Sequence, residues 1–371
     1  MQVERRSTRR RRGWRRIGGI CCVFLIMAAI VLWIWGTDRA PADGDRQIAA
    51  ADGTGEPDGS AVPQVGSSAR QLAMKDAFAS EFHTNTPVQM IPEVSKKALD
   101  KKLTTEYVVL YDCTHAQILY SKNASERCYP ASTTKLLTAC VAAKFCAPDT
   151  AFTVGEELSL VAYDSSLALL KKGQRLTFEM LLDALLLPSG NDAAYVMAAG
   201  VGRIYAGDES LSAEDAVAVF VELMNQTAKR IGAEDSHFVT PDGYHDDDHY
   251  TTAMDMMRIA LYASSFDAIR ASYGKSEVSY TLLSGEDYYW ENSNPLIDST
   301  SACFYSYANG MKTGFTDQAG SCLVASAKKD DVELIAVAMN GRSIDARNQD
   351  LTAMFEMAFE ACETEEPRTA S

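Results

Sequence analysis

Residues 106–145 read EYVVLYDCTHAQILYSKNASERCYPASTTKLLTACVAAKF, and the change of period inside this stretch decides the fold class. Residues 106–122 read as two strands around a short turn, a β-hairpin that opens a sheet. From Ala131 the pattern becomes helical. Leu136, Leu137, Cys140 and Val141 form one apolar stripe, and Ser132 lies near the helix N-terminus. Downstream, LTFEMLLDALLL (176–187) predicts a second, strongly apolar helix with Thr177 as its N-cap and Pro188 as its stop. NDAAYVMAAG resumes a helix at 191, and further helical patterns cover 212–231 and 253–270. After 275 the period shifts toward two. SEVSYTLL, the stretch around 309–313, SCLVASAKK and DVELIAVAMN read as strands, KKDD as the hairpin turn between the last two, and 346–362 as a final helix. Strands, then helices, then antiparallel strands, then a helix predict a single α/β domain. Its antiparallel sheet is flanked by helices and takes strands from both ends of the sequence, with an all-helical lobe inserted between them.

The 371 residues, 47% of them hydrophobic, suffice for one large domain or two small ones. The net charge of -15 is unevenly spread. Eight arginines against the single acid Glu4 give residues 1–36 a balance of +7 and leave -22 for the rest. A body that acidic argues against nucleic-acid binding. Residues 17–36, IGGICCVFLIMAAIVLWIWG, carry no charge. At about 1.5 Å per residue they span roughly 30 Å, one hydrocarbon core. Arginines before the span and acids after it put the N-terminus in the cytoplasm and the body outside. A cleaved signal peptide is the alternative. The apolar stretch is long for one, however, and it ends in the bulky Trp33 and Trp35. The expected organisation is a basic tail (1–16), a membrane anchor (17–36), a linker rich in Gly, Ala, Asp, Pro and Ser (37–90), a domain (91–365) and a short tail (366–371). Outside the span, seven cysteines remain (Cys113, Cys128, Cys140, Cys146, Cys303, Cys322 and Cys362), an odd number, so at least one is unpaired within the chain or bonded between chains. No C-x-x-C pair points to a zinc ribbon.

Three short patterns carry chemistry. Ser132-Thr133-Thr134-Lys135 puts a hydroxyl and an amine three residues apart on a helix, where they share a face. A serine needs a base to become nucleophilic, and a lysine of lowered pKa can serve. Alone the pattern is weak, because a serine at a helix start ordinarily caps it, and Ser326-Ala327-Lys328-Lys329 matches too. Ser189-Gly190-Asn191 falls in the break between two apolar helices, where a turn projects a hydroxyl and an amide into a cleft, although Ser121-Lys122-Asn123 repeats it in a hairpin. Lys312-Thr313-Gly314 occurs once, at the end of a predicted strand, and offers a cation, a hydroxyl and room for a close backbone approach.

Together and in this order, the three resemble the signatures S-x-x-K, S-x-N and K-T-G of the penicillin-recognising serine enzymes. Within them the chain is most similar to the low-molecular-mass penicillin-binding proteins, the serine D-alanyl-D-alanine carboxypeptidases. YPASTTKLLTA (129–139), LLLPSGNDAA (185–194), FVTPDGYHDDDHYTTAMDM (238–256) and NGMKTGFTDQAGSCLVASA (309–327) carry the likeness. The resemblance implies a β-lactamase/transpeptidase-like domain acting on peptidoglycan stem peptides. Ser132, Lys135, Ser189 and Asn191 would be catalytic, and Lys312, Thr313, Gly314, Phe315 and Arg347 substrate-binding. It also implies β-lactams as inhibitors and neither metal nor organic cofactor. Many relatives carry a further β-rich domain, expected to be absent here, so that the N-terminal anchor takes the membrane role. A class A β-lactamase shares the motifs but needs a glutamate after the second one, and no E-x-x-L-N is found there. A catalytically silent wall-binding protein on the same fold is the other alternative. His245-Asp246-Asp247-Asp248-His249 has metal-like spacing, but no further ligand is evident, and a solvated loop is expected.

The arginine cluster and uncharged span predict that the intact protein stays in the membrane fraction with its body protease-accessible from outside. A mature N-terminus near residue 40, read by sequencing, would rule out the anchor.

Overall fold

The computed structural model describes residues 93–365. The basic tail, the span at 17–36, the linker at 37–90 and the tail from 366 lie outside the described residues. No helix among the described residues is long and apolar enough to cross a membrane.

Helix α1 (Glu93–Lys102) leads into the predicted hairpin, β1 (Tyr107–Asp112) and β2 (Gln117–Lys122). Strand β3 (Arg127–Cys128) precedes a short 3-10 helix, Ala131–Thr134, that runs directly into α2 (Lys135–Ala143). The inserted lobe holds a small ribbon of β4 (Ala151–Thr153) and β5 (Arg175–Thr177) and the helices α3 (Phe178–Leu186), α4 (Asn191–Ala206) and α5 (Ala213–Arg230). Thr177 caps α3 by accepting from Met180 N, as its position predicts. Strand β6 (Thr251–Thr252) pairs with β3 and opens α6 (Ala253–Ser264), followed by α7 (Asp267–Tyr273). Then come β7 (Glu277–Thr281), β8 (Asp287–Glu291), β9 (Ala308–Thr316), β10 (Gly320–Lys329), β11 (Val332–Gly341) and α8 (Ile344–Glu365).

The five-stranded antiparallel sheet runs β2-β1-β11-β10-β9, so the N-terminal hairpin docks on the C-terminal strands through β11. Alternation along the strands sorts side chains to two cores. Val109, Val324 and Val337 face the helical lobe, where they join Leu136, Leu137, Phe178 and Phe220. Val108, Leu323 and Ala338 face the other way. Against them α8 sets Leu351, Met354, Phe355, Ala358 and Phe359, a stripe of helical spacing. Burial on both faces is what makes β10 and β11 near-continuous apolar runs.

Two expectations change in detail. The helical pattern over 253–270 is two helices, because Ser264 and Ser265 hydroxyls bond back to the carbonyls of Ala260 and Tyr262 (2.9 and 2.7 Å) and Phe266 turns extended. SEVSYTLL is a strand, but it pairs with β8 in its own ribbon outside the main sheet. Cys113, Cys128, Cys140, Cys146, Cys303 and Cys322 are free thiols.

One carboxylate ties the two ends of the domain. Asp350 Oδ2 on α8 accepts from the backbone N and the hydroxyl of Thr104 (2.9 and 3.1 Å) and from those of Thr105 (2.7 and 2.7 Å). Hydrogen bonds to charge are worth about 1.5–3 kcal/mol each, and stranding buried donors adds to the loss. Asp350→Ala is therefore expected to lower unfolding stability by at least about 3 kcal/mol in denaturant titrations, and a change under about 1 kcal/mol would contradict the tie.

Candidate active site

The 3-10 geometry at Ala131–Thr134 has a chemical consequence. Side chains three apart nearly eclipse in such a turn, which stacks Ser132 on Lys135. Lys135 Nζ lies 2.8 Å from Ser132 Oγ, 2.7 Å from Asn191 Oδ1 and 2.9 Å from the carbonyl oxygen of Asp242. As an ammonium it donates to all three. As a neutral amine it donates to Asn191 and Asp242 and turns its lone pair to the Ser132 hydroxyl, which then donates. The amine is fully buried, and burial lowers its pKa to about 8 against the opposing pull of Asp242 and Asp192. The first two motifs thus meet on one nitrogen.

Ser189 sits in the break between α3 and α4 with φ 63°, and its carbonyl accepts from Ser166 Oγ (2.7 Å). Asn191 Nδ2 donates to Ser165 Oγ (2.9 Å). The loop around 164–170 is clamped from both sides. Asp192 accepts from the backbone N of Ala168 and Leu170 (2.8 and 2.9 Å), while Trp290 Nε1 and Tyr288 OH on β8 donate to the carbonyls of Ala168 and Leu169 (3.0 and 2.7 Å). The β7–β8 ribbon therefore braces the site although it lies outside the main sheet.

The third motif comes from β9, the edge strand, whose pairing leaves one side free of strand partners. Gly314 runs so close to the catalytic turn that a Cβ there would lie 3.0 Å from the backbone N of Ser132 and of Thr133. Thr313 Oγ1 is 2.7 Å from Ser293 Oγ. Lys312 is fully buried, with Nζ donating to the carbonyl of Thr313 (3.1 Å). Its pKa is pushed well down, first by burial and then by repulsion from Lys135 and Arg347. A second buried cation beside Lys135 could in principle favour its neutral form. Here burial does that, and the repulsion falls on Lys312, which has only one carbonyl to hold its proton.

A cleft of about 390 Å³ opens over Ser132, lined also by Asp164, Ser165, Asn191, Tyr244 and Phe315. Lys135, Ser189 and Lys312 are buried and do not line it. Arg347, expected to reach substrate, does not line it either. It is 2% exposed, donates to the carbonyl of Cys322 on β10 (2.8 Å) and holds Asn348 Oδ1 through Nε and Nη2 (3.0 and 2.8 Å). Burial lowers its pKa to about 10. The decoy Ser326 lies in β10 and donates to Asn309 Oδ1. Its partner Lys329 belongs to the opposite face of the strand.

The loop at 239–250 is a correction to the sequence reading. His249 is no solvated residue. It is buried, its Nδ1 accepts from the backbone N of Val239 and Thr240 (3.1 and 3.3 Å), and Nε2 therefore donates to Thr134 Oγ1 (2.9 Å). Burial drops its pKa to about 3, so the ring is neutral. This loop supplies the Asp242 carbonyl to Lys135, a contribution missed because a backbone oxygen leaves no mark in composition. The Asp-Gly turn was the available signal: Gly243 has φ 82°, and a Cβ there would strike the Ala131 carbonyl at 1.9 Å.

The tight approach at Gly314 generates a test. Gly314→Ala should push β9 from the catalytic turn by a few tenths of an ångström and cut penicillin acylation by about tenfold or more, with little loss of thermal stability. Wild-type acylation rates in that variant would show that the contact is not limiting.

Comparison with known proteins agrees with this geometry. Residues 93–343 match the peptidase S11 family, described as D-alanyl-D-alanine carboxypeptidase. The chain is 30% identical over 287 residues to the D-alanyl-D-alanine carboxypeptidase DacF of Bacillus subtilis, covering 76% of this chain and 69% of the relative. It is 29% identical over 305 residues to DacA of Escherichia coli K12, covering 78% and 67%. The crystal structure of the Streptomyces K15 DD-transpeptidase superposes with a TM-score of 0.63 at 29% identity, covering 70% of this chain and 98% of that one. With its fold, its three converging motifs and these likenesses, the chain belongs to the D-alanyl-D-alanine carboxypeptidase family of serine peptidases.

Proposed function

We propose that this chain is a serine-type D-Ala-D-Ala carboxypeptidase that trims peptidoglycan stem peptides from the outer face of the membrane, held there by the span at 17–36. The observation that carries the chemistry is the 2.8 Å contact between Lys135 Nζ and Ser132 Oγ. Neutral Lys135 takes the Ser132 proton as Oγ attacks the carbonyl carbon of the penultimate D-alanine. The resulting oxyanion is held by the backbone N–H groups of Ser132 and Phe315. Collapse breaks the C–N bond, and the proton on Lys135 passes through Ser189 to the departing amine of the terminal D-alanine. Water then hydrolyses the ester on Ser132, and Lys135 again takes and returns one proton.

Asn191 fixes Lys135 and binds the peptide amide. Lys312 and Thr313 provide for the terminal carboxylate. An anion entering beside Lys312 would give that amine the counter-charge it lacks and favour its charged form. Arg347 contributes positive potential from behind β10, since its placement gives no direct reach into the cleft. β-Lactams would acylate Ser132 by the same attack. The β-lactamase alternative needs a glutamate by the deacylating water, and among the described residues none lines the cleft.

Acylation should rise with pH as Lys135 loses its proton and level off above about 8. Ser132→Ala should lose penicillin labelling and D-alanine release while still folding. Lys135→Ala should acylate slower by about 10²–10⁴-fold. Ser326→Ala, at the decoy, should label normally. The check is adduct mass followed by peptide mapping, and an adduct on any serine other than Ser132 would overturn the assignment.

A further inference from the structure

Asp242 contributes to the site twice, once through its backbone and once through its side chain. The loop that carries it is fastened to the catalytic helix at several points. Thr138 Oγ1 donates to the carbonyl of Pro241 (2.6 Å), Lys135 Nζ to that of Asp242 (2.9 Å), and Gly243 lies against Ala131. Asp242 is only 1% exposed. Its Oδ1 accepts from the backbone N of Tyr244 (3.0 Å), which closes a turn, and its Oδ2 is buried with no hydrogen-bond partner.

A carboxylate oxygen left without a donor in the interior is costly. The turn does not require it, since an asparagine closes the same turn through its own Oδ1. What a carboxylate adds is charge, and the charge acts on Lys135, where Asp242 outweighs the other carboxylate in range, Asp192. Asp192 is committed elsewhere, accepting from the backbone N of Ala168, Leu170 and Ala193. Other titratable groups that feel the pair are Tyr195 from α4 and Tyr244 from the same loop, which face Asp242, and Lys312 from β9, which faces Lys135.

We propose that Asp242 is a positioning residue for acylation: its buried carboxylate holds the Lys135 proton and thereby sets the pH at which Ser132 becomes nucleophilic. The inference rests on the reading of Lys135 as the base. The carboxylate makes no covalent bond and no direct hydrogen bond to Lys135. It steadies the ammonium that exists after Ser132 has been deprotonated and before the leaving amine is protonated. Removing the charge frees the amine at lower pH and makes it a weaker base.

The test is the pH profile of second-order acylation by a fluorescent penicillin, measured on the full chain from pH 5 to 10. Two variants remove the charge differently, Asp242→Asn and Asp242→Ser, and each keeps an oxygen for Tyr244 N. Both should move the midpoint of the rising limb down by about one pH unit or more. Circular dichroism and thermal unfolding identify a variant that has failed to fold, and the other then decides. A shift in the folded variants supports the assignment, because a purely structural role would change the plateau and leave the midpoint in place. Wild-type labelling with an unmoved midpoint in a folded variant overturns the Asp242 assignment alone. A wild-type chain that takes no label on Ser132 overturns the proposed function and this assignment with it.

Discussion

A lysine nitrogen cut off from solvent must be neutral or well paired, and the arrangement around Ser132 follows from how this chain resolves that choice at position 135. Burying an ammonium costs several kcal/mol even after relaxation. The chain supplies three oxygens to the nitrogen, from a hydroxyl, an amide and a backbone carbonyl, and no carboxylate in direct contact. Three neutral acceptors serve either protonation state, whereas a direct carboxylate partner would fix the ammonium and disable the base. The balance is adjusted from a distance by Asp242 and Asp192, which oppose the effect of burial. Three elements from separate parts of the chain must therefore agree within a few tenths of an ångström: the 3-10 turn, the start of α4 and the 239–250 loop.

The scaffold absorbs the strain of that agreement. Of the non-glycine residues with left-handed φ, Ala131 (48°) directly precedes Ser132, Ser189 (63°) is a motif residue itself and Met311 (90°) directly precedes Lys312. Each such conformation costs on the order of 1–3 kcal/mol and persists only where the surroundings enforce it. Here the enforcement is the packing of apolar side chains on both faces of the sheet, together with polar ties such as those of Asp350 and His249. Strained backbone at all three motifs is consistent with a site assembled by tertiary contacts, with no local propensity that would form it in isolation.

That division explains what could be read in the sequence. The hairpin, the apolar helices, the Thr177 cap and the antiparallel C-terminal strands are written in periodicity, and each appears where the pattern puts it. The motifs were legible because their chemistry resides in side chains at fixed spacing. Strand β8 was missed because DYYWE has acids at both ends and buries only Trp290 well, so no apolar alternation announces it. His249 looked solvated because three acids precede it, and nothing local reveals that its ring turns inward to Thr134. The Asp242 carbonyl is a main-chain atom. The direction in which Arg347 points, and the falling of cationic repulsion on Lys312 in place of Lys135, depend on which amine has more acceptors, and only coordinates show that.

If Ser132 is the nucleophile and Lys135 its base, as proposed, the separation of an open hydroxyl from a buried amine also constrains the fate of the transferred proton. Ser132 opens onto the cleft, while Lys135 touches no solvent. A proton taken from Ser132 therefore cannot be lost directly to bulk water and must leave by the hydrogen bonds it arrived through. Asn191 Oδ1 and the Asp242 carbonyl accept bonds but do not accept the proton itself. Of the three contacts, the Ser132 oxygen alone can take the proton back. Retaining the proton suits a reaction in which the base must return what it took, first to an amine and later to the seryl oxygen. In the proposed mechanism, burial of Lys135 performs two tasks with one cause: it weakens the hold on the proton enough for the amine to act as a base, and it keeps that proton within the site until the leaving group needs it.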